Sequence, residues 1–124
     1  MKGEYLNGRR NGKAKDYNLN GDLIYEGEFL NGKKNGKGIG KEYYDNGQLE
    51  YEGEYLNVKR NGNGKQYYDN GQLEFEGEYL NGEINGKGKE YNYNGDLIFK
   101  GEYYNGKRKG KGTYNYSANK CVII

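Results

Sequence analysis

Residues 53–76 read GEYLNVKRNGNGKQYYDNGQLEFE, and just before them residues 49–56 read LEYEGEYL. Alternation decides the structure of this stretch. Leu49, Tyr51, Gly53 and Tyr55 fall on one side of an extended chain, and Glu50, Glu52, Glu54 and Leu56 on the other. Eight residues with a period of two are the pattern of a half-buried strand. A second stretch, Lys65 to Tyr68, is tyrosine-rich and also suits a strand. Asn-Gly pairs separate such stretches. Both residue types accept the positive φ of a type I′ turn, so each pair reads as a hairpin signal.

The stretch is one copy of a repeat. Gly-Glu-aromatic recurs at Gly3, Gly27, Gly53, Gly77 and Gly101, with spacings of 24, 26, 24 and 24 residues. The units run 3–26, 27–52, 53–76, 77–100 and 101–120. Tyr25, Tyr51, Phe75 and Phe99 share one column, Leu23, Leu49, Leu73 and Leu97 another, and Leu6, Leu30, Leu56, Leu80 and Tyr104 a third. Asn-Gly occurs in two series, at Asn20-Gly21, Asn46-Gly47, Asn70-Gly71 and Asn94-Gly95, and at Asn11-Gly12, Asn35-Gly36, Asn61-Gly62 and Asn85-Gly86. The longer unit holds two extra residues near Ile39-Gly40, an insertion expected to sit in a loop or bulge. No window has helical spacing, and 23 glycines disfavour helix. The expectation is an all-β fold, an elongated single-layer antiparallel meander of stacked hairpins with about ten strands. Glycines such as Gly53 and Gly77 leave room for a neighbour's aromatic ring to lie over bare backbone. The column Tyr25, Tyr51, Phe75 and Phe99 then forms an aromatic ladder, structural or partner-binding.

Composition narrows the function. Only 32% of the 124 residues are hydrophobic, and 16 tyrosines are among them, so the core is thin. Twenty basic residues oppose 18 acidic ones, without the basic excess of a nucleic-acid binder. There is no histidine and one cysteine, so a histidine-based nucleophile and a zinc site are both excluded. The pairs Glu26-x-Glu28, Glu52-x-Glu54 and Glu76-x-Glu78 recur with the repeat and read as a solvated strand face. No catalytic residue, metal or cofactor is expected. The N-terminus has no signal-peptide pattern, which with the single cysteine points to the cytoplasm.

Tyr-x-Gly at Tyr25–Gly27 and Tyr51–Gly53, followed by Asn-Gly-Lys and by Gly-x-Gly at Gly36–Gly38, resembles the MORN repeat over residues 3–116. Only the last unit has the common ending Gly-x-Gly-x-Tyr, at Gly110 to Tyr114. The internal units carry one more residue before the tyrosine and look like variant MORN repeats. The resemblance implies an elongated, twisted sheet acting as a scaffold. Family members organise protein complexes or sit at membranes, and some self-associate.

The C-terminus Cys121-Val122-Ile123-Ile124 fits the C-a-a-X pattern for prenylation of Cys121. Lys107, Arg108, Lys109, Lys111 and Lys120 lie upstream as candidate contacts for anionic membrane lipid. Two readings therefore stand open. One is a scaffold held at the cytoplasmic face of a membrane by the lipidated tail and basic segment. The other is a soluble protein-interaction module of bacterial, viral or designed origin. The protein partner is unidentified in both. Open edges near Gly3–Asn7 and Thr113–Asn119 invite strand pairing, so a weak homodimer is also expected.

Overall fold

The computed structural model describes the backbone of residues 2–6, 9–117 and 120–123, and the side chains of residues 11–110. Eleven strands follow one another: β1 (Lys2–Leu6), β2 (Arg9–Tyr17), β3 (Leu23–Leu30), β4 (Lys33–Tyr43), β5 (Leu49–Leu56), β6 (Lys59–Tyr67), β7 (Leu73–Leu80), β8 (Glu83–Tyr91), β9 (Leu97–Tyr104), β10 (Lys107–Ser117) and β11 (Lys120–Ile123). They form one antiparallel sheet in sequence order, and each strand pairs only with its chain neighbours. The eleventh strand was not expected. The backbone of residues 120–123 pairs with β10, with Cys121 opposite Asn115, so the C-terminal edge is β11 and not residues 113–119.

The turns correct the sequence reading. In the first Asn-Gly series only the glycine has positive φ, as at Gly21, Gly47, Gly71 and Gly95. Gly47 N–H donates to the Tyr44 carbonyl and Tyr44 N–H to the Gln48 carbonyl. That is a type I turn closed by a left-handed glycine. Asn46 instead folds its side chain back, its Oδ1 accepting from Gln48 N–H at 2.8 Å. The type I′ turns lie at a series passed over in the sequence: Asn31-Gly32, Asn57-Val58, Asn81-Gly82 and Asn105-Gly106, all with two positive φ values.

The second Asn-Gly series lies inside strands, where it forms bulges. Gly36, Gly62 and Gly86 have positive φ, and the register slips beside them. Glu54 Oε2 accepts from Asn63 N–H at 2.7 Å and Glu78 Oε1 from Lys87 N–H at 2.9 Å, satisfying donors that the bulge removes from the ladder. The second glutamate of the Glu52-x-Glu54 and Glu76-x-Glu78 pairs is thus a bulge anchor, not merely a solvated residue. Asn61 and Asn85 accept from the N–H of Asn81 and Asn105, tying each bulge to the next turn.

The two inserted residues sit in neither loop nor bulge. They lengthen β4, so that Gly38 pairs with Gly27 on one side while Gly40 pairs with Gly53 on the other. A step of two residues preserves which face every side chain meets, whereas a step of one would invert it.

A single sheet has no second layer to cover its apolar face, and here the rings cover one another. Phe29, Tyr25, Tyr55, Tyr51, Tyr79, Phe75, Tyr103 and Phe99 form one unbroken edge-to-face chain, with centroids 5.2–5.7 Å apart. Such contacts are worth about 0.5–1.5 kcal/mol each beyond area burial. Tyr25, Tyr51, Phe75 and Phe99 are at most 1% exposed. Glycine makes this possible. A Cβ on Gly64 would lie 2.5 Å from Tyr51 Cε1, and one on Gly53 would lie 2.5 Å from the Gly64 Cα.

Candidate interaction surfaces

The aromatic face is closed by a cationic column. Lys34, Arg60, Ile84 and Arg108 occupy equivalent places two residues after each type I′ turn's second residue. The Arg60 guanidinium lies 4.2 Å from the Tyr51 ring centre and 5.8 Å from that of Tyr79, Lys34 Nζ is 4.9 Å from Tyr25, and Arg108 is 4.8 Å from Phe99. Ile84 takes the equivalent place against the core in the fourth unit.

Each arginine is also held by a carboxylate 18 residues earlier. Arg60 donates through Nε and an Nη to the two oxygens of Glu42, at 2.9 and 3.0 Å, and Tyr55 O–H donates to the same carboxylate at 2.5 Å. Arg108 and Tyr103 repeat the arrangement on Glu90. Burial alone would raise these carboxyls, but the arginine and tyrosine donors outweigh it and hold both Glu42 and Glu90 below the usual carboxylate range. In the Ile84 unit the carboxylate is replaced by Gln66, which accepts from Tyr79 O–H and from Arg60.

The opposite face alternates charge across the strands. Lys41 faces Glu52, Glu52 faces Lys65, Lys65 faces Glu76 and Glu76 faces Lys89. Lys65 closes on Glu76 at 3.9 Å, while Glu52 instead accepts from Tyr67 O–H at 2.9 Å. Along one margin of this face the turn-proximal column stays in solvent: Leu30 is 50% exposed, Leu80 51% and Tyr104 60%, with Leu56 half-buried between them. Lysine is opposite in register at three of the four: Lys33 at Leu30, Lys37 and Lys59 at Leu56, and Lys107 at Tyr104. Exposed Ile39 lies on the same face, and exposed Val58 in the adjoining turn. At the other margin tyrosines stitch hairpins together, with Tyr44 O–H donating to the Tyr67 carbonyl and Tyr68 O–H to that of Tyr91.

Against this geometry the residues singled out from sequence separate. Tyr25, Tyr51, Phe75 and Phe99 are buried within the chain, so they are its core and not a surface that a partner reaches. Lys107, Arg108 and Lys109 do not form one basic patch. Arg108 is opposite Tyr103 on the aromatic face and is clamped by Glu90, while Lys107, opposite Tyr104, and Lys109, opposite Glu102, face the other way. The side chains of Lys111, Lys120 and Cys121 lie outside the described residues. The Arg60–Glu42 and Arg108–Glu90 clamps were missed in the sequence. Their signal was a cationic column repeating in phase with an acidic column 18 residues upstream.

Family models agree with the repeat. The model described as a MORN repeat variant matches residues 10–31, 35–57 and 60–81, and the model described as the MORN repeat matches residues 2–15, 75–97 and 99–119. No curated protein matches the chain.

Proposed function

Because this chain belongs to the MORN-repeat family, we propose that it is a non-enzymatic scaffold that docks a protein segment along the exposed Leu30–Leu56–Leu80–Tyr104 ribbon. The exposure of that ribbon is the observation that carries the reading. Folding has buried the aromatic rings on one face and left Leu30, Leu80 and Tyr104 in water on the other, with Leu56 half-buried between them. Contiguous exposed apolar surface rimmed by charge is the mark of an interaction site. The four positions lie two strands apart in sequence, about 10 Å from one to the next, so the ribbon measures about 29 Å. Lys33, Lys37, Lys59 and Lys107 beside it favour a partner segment that sets acidic residues between apolar ones.

The test is affinity capture from the native source with the full chain and with Leu30→Asp/Leu80→Asp. Both leucines are exposed, so the variant is expected to melt at the same temperature. A partner captured by the original chain and lost with the variant supports the ribbon. The same proteins captured at the same yield by both would refute it.

A further inference from the structure

The charge pattern on the exposed face breaks between β8 and β9. Lys15 faces Glu26, Lys41 faces Glu52 and Lys65 faces Glu76, but at the equivalent position between β8 and β9 Lys89 faces Lys100. Like charges directly opposite on neighbouring strands destabilise a sheet. This pair borders a depression of about 410 Å³ floored by Gly88 and Gly101 and walled by Lys87, Lys89, Lys100, Glu76 and Glu102. The equivalent depression one repeat earlier, of about 460 Å³, has Asn63 in place of Lys87 and Glu76 in place of Lys100. The later depression thus has three lysines where the earlier has one, and each is lined by two glutamates. One of those two glutamates, Glu76, already faces Lys65 at 3.9 Å. Lys87, Lys89 and Lys100 make no ion pair with a described residue.

We propose that this depression binds a compact phosphoryl-bearing anion from solution. Lys87 and Lys89 stand two residues apart on one strand, about 7 Å, and Lys100 is directly across from Lys89, so three lysine side chains leave the same face of the sheet around one small area, with Glu102 opposite Lys87. A phosphoryl group carries about −1.5 to −2 charge and is bound by lysine as a point charge, whereas a carboxylate is best gripped by the arginine fork that this site lacks. The surrounding face separates a small anion from a membrane. Away from the depression lysine and glutamate alternate, as at Lys41–Glu52 and Lys65–Glu76, so a flat anionic bilayer meets repelling carboxylates as often as lysines. In the depression lysines outnumber glutamates three to two, and a small anion meets that local excess.

The experiment titrates the full chain with inorganic pyrophosphate at low salt, by calorimetry, beside vesicles containing phosphatidic acid. Saturable binding of pyrophosphate is expected. Lys100→Glu restores the residue type of the sibling units, so it is expected to fold, to melt at the same or a higher temperature, and to weaken binding by about tenfold or more. Lys59→Ala, outside the depression, is expected to leave binding unchanged. Absence of saturable binding, equal weakening by both substitutions, or binding to vesicles without binding to pyrophosphate would each overturn the proposal.

Discussion

Val58 stands where the other type I′ turns have Gly32, Gly82 and Gly106, and its φ is +78°. A β-branched side chain is strained there, because Cβ crowds the backbone in the left-handed region. It is also 57% exposed, so no burial offsets the strain. Val58→Gly is expected to stabilise the chain by about 1 kcal/mol, the relieved strain less the extra freedom of glycine when unfolded. A urea midpoint that stays level or falls would contradict this. The reverse holds at Gly64, where backbone and ring leave no room for a Cβ. Gly64→Ala is expected to cost about 2–3 kcal/mol by overpacking against Tyr51, read in the same melts.

Within the hairpins, the Arg60–Glu42 clamp joins β6 to β4 across β5 and covers two rings as it does so. Arg60→Ala is expected to cost about 2 kcal/mol, from charge-assisted hydrogen bonds and lost packing of its stem. The clamp also sets the response to acid. Glu42 and Glu90 ionise below the usual range in the native chain. The unfolded chain therefore takes up protons first as pH falls, and stability present above about pH 4.5 is lost as pH passes down through the native values. Glu42→Gln is expected to flatten that acid limb in urea melts. At high pH the sign comes from the tyrosines. Burial pushes Tyr51 up to about 12 and raises Tyr55, Tyr79 and Tyr103 as well. Unfolded tyrosines ionise near pH 10, so stability present below about pH 10 falls as pH rises above it. The part of the tyrosinate absorbance that is lost in Tyr51→Phe is expected to appear together with loss of the strand signal in circular dichroism, and its appearance well before that loss would refute this.

Across the whole molecule, eleven strands spaced about 4.8 Å apart give a sheet about 50 Å wide with no second layer. Small-angle scattering is expected to give a radius of gyration above the ~14 Å of a compact domain of this length; a value at or below it would refute the single sheet. The sheet ends at β1 and β11, whose outer backbone groups pair with no described strand. Edges of this kind template pairing with a second chain. Sedimentation at about 100 μM, in the range where exposed edges matter, is expected to show a reversible dimer, and a constant monomer mass would count against edge pairing.

The sequence by itself determined the strands of the repeats, though not β11, their order and the face of the residues around Tyr51. Period-two alternation and short connections leave an antiparallel meander as the solution, and the Tyr25, Tyr51, Phe75 and Phe99 column marks its apolar side. Turn placement was not legible, because Asn-Gly occurs three times per typical unit and serves a type I turn, a type I′ turn and a bulge. Each role depends on what hydrogen-bonds opposite it, as Gly47 on Tyr44. The clamps and the Lys89–Lys100 pair were hidden for a related reason. Residues 11 or 18 apart in the chain meet only when cross-strand register brings them together. Tertiary structure also decided which face is free. The rings that look most like a binding surface in the sequence pack edge to face over glycine and withdraw from solvent. The leucines left outside lie opposite charged residues, Leu30 opposite Lys33 and Leu80 opposite Glu83.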